Sequence, residues 1–110
     1  MKFNLIINAD SDWQDSCNEA LKLCQSIITN HQLDMVFFFG HAVNIINVSE
    51  VLKQWQQWQQ SSGVSLCLCS AMVELHTNLK PNQQVEGFKV VGLASWVNAM
   101  EQADKVVEIN

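Results

Sequence analysis

Seven side chains in this 110-residue chain are thiols or imidazoles: Cys17, Cys24, Cys67, Cys69, His31, His41 and His76. The stretch Ser65 to His76, SLCLCSAMVELH, holds three of them. It reads as an apolar strand that ends on Cys69 where a helix begins. In an open parallel sheet, reactive groups gather beyond the carboxyl ends of the strands, because helix N-termini direct unpaired N–H groups into that space. Such amides stabilise a thiolate and bring its pKa below the free value of about 8.5. Cys67, two residues deeper, gains nothing similar, so Cys69 is the candidate nucleophile of the pair. A packing role for Cys69 stays open, since unpaired cysteine in an apolar strand is commonly a small core residue, and that role suits Cys17, Cys24 and Cys67.

The other chemistry-bearing residues are dispersed. Cys17 and Cys24 are seven apart on one helix face, two turns from each other and too distant to bridge. No C-x-x-C is present, which removes a zinc knuckle and a thioredoxin-like pair. His41 follows the second apolar run and can reach the rim that Cys69 occupies, so Gly40 and His41 are accessory candidates. His76 lies about 10 Å along a helix from Cys69 and is expected to point away; His31 closes a helix. Nothing in the spacing of Cys69, His41 and His76 asks for a metal, and no cofactor motif occurs: Gly40 belongs to neither a G-x-G-x-x-G nor a G-x-x-x-x-G-K pattern. Glu74 and Glu101 read as solvated helix residues. Trp55 and Trp58, at helical spacing, are expected at an assembly surface.

The elements that must position these residues alternate. KFNLIIN (2–8) is a buried strand expected inside a sheet. The segment 11–30 is a helix, with Ser11 and Gln14 spaced as a capping box and apolar residues recurring at three and four. DMVFFFG (34–40) is a second strand. The helix opening at Ser49 or Glu50 carries Val51, Leu52, Trp55 and Trp58 on one side and stops at Gly63. VSLCLC (64–69) is the third strand, and its helix runs on to Pro81. A short strand is expected at 88–91, a helix at 93–103 and a final strand at 104–109. Strand-then-helix units of this length predict an α/β fold: a three-layer α/β/α sandwich with a mostly parallel sheet of about five strands, in a single domain over 1–110.

Composition excludes several function classes. The chain is 48% hydrophobic with a net charge of −5 and no basic cluster, which argues against direct nucleic-acid binding. No window approaches eighteen apolar residues, and the N-terminal apolar run is too short for a signal peptide, so a cytoplasmic protein without a membrane span is expected. Four Trp and five Phe are a heavy apolar load for this length, and a subunit interface is a natural place for part of it.

Several segments in order resemble the DsrE-like sulfur-carrier family, most closely its TusD branch. They are KFNLIIN, VFFFGHAV, WQQWQQSSGVSLCLCSA and VGLASWVNAMEQADKVVEIN, which together span nearly the whole chain. The resemblance implies a DsrEF-like parallel sheet between helices, assembled as homo- or hetero-oligomers, trimers or hexamers. It implies that Cys69 takes up sulfane sulfur as a persulfide and passes it to a partner protein. In the TusD branch that sulfur is destined for tRNA 2-thiouridine, with TusA-like donors and TusE-like acceptors. Related DsrEFH complexes act in sulfur oxidation. Two further readings share the architecture: a non-catalytic assembly subunit of a DsrEFH- or TusBCD-like complex, and a small-ligand module with a pocket near Gly40, His41 and Cys69.

Overall fold

The computed structural model covers residues 1–110 and contains one five-stranded, wholly parallel sheet. Its strands are β1 (Lys2–Ala9), β2 (Gln32–Gly40), β3 (Ser65–Cys69), β4 (Phe88–Val91) and β5 (Lys105–Ile109), in the spatial order β4-β3-β2-β1-β5. Between them lie α1 (Trp13–Ile27), a 3₁₀ segment His41–Asn47, α2 (Ser49–Ser62), α3 (Ser70–His76) and α4 (Leu93–Gln102). The expected three-layer α/β/α sandwich is therefore the fold. β1 is internal, as its apolar run requires, and β2 holds the centre.

Strand alternation sorts the core in two. Leu5, Ile7, Val36, Phe38, Leu66 and Leu68 point to one face and pack with α1, α2, the 3₁₀ segment and Val73 of α3. Phe37, Cys67 and Cys69 point to the other and pack with Trp96 of α4. One helix about 10 Å across cannot cover a five-stranded face roughly 20 Å wide. Val106 of β5 on that face accordingly remains 44% exposed.

Asn4 is a wholly buried polar residue within β1. The β1–β2 register shifts between Phe3 and Asn4, and the Met35 N–H at that irregularity donates to Asn4 Oδ1 at 2.9 Å. Asn4 Nδ2 donates to the Ala99 carbonyl at 2.7 Å, which ties the C-terminal half of α4 to the sheet. Asn4→Ala leaves both backbone groups unpaired and is expected to cost about 3 kcal/mol, read as a lower urea midpoint; a change under about 1 kcal/mol contradicts this role.

Three expectations are corrected. α1 starts at Trp13 with Asp12 before it and no side-chain cap, so Ser11 and Gln14 form no capping box; the Asp10 and Asp12 carbonyls accept the Trp13 and Ser16 N–H groups instead. α3 ends at His76, well short of Pro81, because Thr77 turns extended and both its N–H and Oγ1 donate to the Val73 carbonyl, at 2.9 and 2.7 Å. Trp55 and Trp58 are buried in the larger core rather than displayed for assembly. Gly63 does stop α2, adopting φ 73° while its N–H donates to the Gln59 carbonyl.

Candidate functional site

The site grows from the point where the chain changes face. β3 leads into α3 on the side of the larger core, whereas β4 leads through Gly92 into α4 on the opposite side. Adjacent parallel strands whose connections diverge in this way leave a crevice at their carboxyl ends, where α/β proteins place their chemistry. Cys69 is the last residue of β3, pairs in register with Val91 of β4, and immediately precedes α3. The sequence expectation of a thiol at a strand-to-helix junction is met, and Cys67 and Cys69 do share one face.

The surroundings of that thiol differ from the expectation of an open rim. Cys69 is 1% exposed, in one packed cluster with Phe37, Cys67 and Trp96 that is bordered by Phe39, Met72 and Val91. The Trp96 indole stacks on the Phe37 ring with centroids 5.5 Å apart and planes 9° from parallel. Cys67 meets Ser65 Oγ at 3.5 Å. On the other face, burial pushes the Cys17 and Cys24 thiols up to about 12, which keeps both protonated and inert at neutral pH.

The imidazoles form their own pair. The His76 ring centroid lies 4.2 Å from that of His41, because the 3₁₀ segment packs against α3. Both elements belong to the side of the larger core, so the pair is separated from the face that carries Cys69. His31 sits near the N-terminus, against Phe3. Gly40 ends β2 at φ 63°, beside Ala9. No group of three or more His, Cys, Asp or Glu side chains is arranged to hold a metal ion.

The largest cleft, about 1120 Å³, lies between α3, β4 and the loop that joins them. Ser70, Glu74, Lys80, Glu86 and Lys89 supply its polar lining. Gly40, His41 and Cys69 line neither this cleft nor the next two. Ser70, next to Cys69 in the chain, is the link between cleft and thiol.

Two sites were hidden from the sequence: the Trp96 cover and the Asn4 tie. A lone asparagine in an apolar strand carries no pattern that joins it to α4, and a tryptophan in a distant helix carries none that joins it to Cys69. The 93–103 helical spacing does place Trp96 on a buried stripe, which was the one available signal.

A wholly parallel α/β sandwich with a thiol at the end of the strand beside its switch point defines a class of small thiol-bearing α/β domains. The model of the DsrE/DsrF-like family matches residues 1–109, and the chain belongs to that family. Its general role is that of a DsrE/DsrF-like sulfur carrier. Among solved structures, the ychN protein from E. coli shares the fold at a TM-score of 0.65 with 18% identity, over 99% of this chain and 100% of that one. No curated protein matches the chain. No helix is long and apolar enough to cross a membrane.

Proposed function

We propose that the protein is a cytoplasmic sulfur-relay subunit in which Cys69 accepts sulfane sulfur as a persulfide and hands it to a partner protein. The observation that carries this reading is the position of Cys69, the last residue of β3 beside the switch point and directly before α3. In uptake, the Cys69 thiolate attacks the outer sulfur of a donor persulfide. A new S–S bond forms, the donor S–S bond breaks and the donor leaves as a thiolate. In delivery, an acceptor thiolate attacks that same outer sulfur and Cys69 departs as the thiolate. Each step exchanges one S–S bond for another, so no outside oxidant or reductant is consumed.

The TusD-like resemblance supports tRNA 2-thiouridine synthesis as the destination, with TusA-like donor and TusE-like acceptor proteins; a DsrE-type place in sulfur oxidation is the alternative route. Assembly into a homo- or hetero-oligomer is supported by the half-covered sheet face, where Val106 of β5 is exposed. One observation favours a second reading, a non-catalytic assembly subunit: Cys69 is buried in the single chain. The test is persulfide loading of wild type against Cys69→Ser, with the donor offered to the reduced protein. The relay reading expects loading on wild type alone, and the assembly-subunit reading expects loading on neither.

A further inference from the structure

We infer that Trp96 is a shutter over Cys69, and that the N-terminal half of α4 must lift from the sheet before that thiol can react. The geometry is independent of the relay reading; only the use made of the opened thiol rests on it. Cys69 faces α4, and the buried side chain that α4 contributes to its cluster is Trp96. The indole lies flat on Phe37, so it closes the face of the sheet from above.

The two halves of α4 are held differently. Its C-terminal half is fastened by the Asn4 Nδ2 bond to the Ala99 carbonyl, from a residue that is itself wholly buried. Its N-terminal half follows Gly92, around which a side chain would meet nothing within 4 Å, and its Leu93 is half exposed. No side-chain hydrogen bond caps its first turn. Trp96 is thus the principal anchor of the free half, and local opening of a weakly fastened element is the usual route by which a buried group meets reagents. Trp96 is a positioning residue: it touches the thiol's surroundings and sets access to it.

The chain carries its own control. Cys17 and Cys24 are wholly buried beneath the opposite face, so global unfolding exposes all four thiols together, whereas lifting α4 exposes Cys67 and Cys69 alone. The experiment is alkylation of the reduced native protein with iodoacetamide, with rates followed cysteine by cysteine by peptide mass. Trp96→Ala is expected to raise the Cys69 rate about tenfold or more while Cys17 and Cys24 stay protected, and Trp96→Phe, which keeps a ring on Phe37, is expected to restore most of the shielding.

Should Trp96→Ala fail to fold, wild type in a sub-denaturing urea series gives the same reading, with Cys67 and Cys69 reacting at lower urea than Cys17 and Cys24. The inference is overturned by four cysteines that react in step, or by a Cys69 that reacts in wild type as fast as in an unfolded peptide. Alkylation uses no sulfur donor. A Cys69 that alkylates on opening yet takes up no sulfur removes the relay reading and leaves the shutter standing.

Discussion

Replacing Gly40 with alanine is expected to cost about 3 kcal/mol or more, a large share of the 5 to 15 kcal/mol typical of a folded domain. Gly40 has φ 63° and ψ −139°, a region open almost solely to glycine. A Cβ there would also lie 2.6 Å from the Ala9 carbonyl oxygen. That oxygen is backbone of the neighbouring strand, in register with Gly40 itself, so it cannot swing aside as a flexible side chain would. Relief requires β1 and β2 to part at their carboxyl ends, which would carry His41 away from His76. Gly63→Ala supplies the comparison. Its φ is also positive, at 73°, but nothing lies within 4 Å, so only the left-handed backbone penalty of about 1 kcal/mol is expected. Urea unfolding of the two variants checks the order. Equal losses would mean that the contact with Ala9 is not what demands glycine at position 40.

Trp55→Ala is expected to lose about 3 to 5 kcal/mol. The ring is wholly buried and meets Phe38 and Trp58 edge to face, at centroid distances of 5.1 and 5.7 Å. Its removal leaves a void between α2 and the sheet that neighbours on rigid elements cannot close. Trp55→Phe discriminates packing from polarity. Trp55 Nε1 has no hydrogen-bond partner, so phenylalanine forfeits no bond and removes a buried, unsatisfied donor. A loss below about 2 kcal/mol is expected for that variant, from reduced volume alone. If Trp55→Phe proves as damaging as Trp55→Ala, the indole N–H has a partner that the fold does not reveal.

Legibility from sequence followed the range of the interaction. The runs through Leu5 and Ile7, through Val36 to Phe38 and through Leu66 to Cys69 announce strands because each is buried on both sides. Gly63 announces the end of α2 because a left-handed C-cap is a local requirement. The burial of Trp55 and Trp58 was misplaced because helical spacing identifies a face that leaves water, yet core and interface leave it alike. The end of α3 was overrun because Pro81 is a visible breaker, whereas the Thr77 hydroxyl bond to Val73 that ends the helix earlier is not. Cys69 was placed at the right junction by the strand-to-helix transition. Its burial depends on β4 sending α4 to the other face and β5 to the far edge, which is a consequence of topology that no local pattern contains.

The most direct test of the relay account is the intact mass of the reduced protein after exposure to a persulfide donor, read beside Cys69→Ser. The account predicts a gain of about 32 Da, one sulfur atom, on wild type and none on the variant. Loading that persists in Cys69→Ser, or a failure of both wild type and the opened Trp96→Ala variant to take up sulfur, would contradict it.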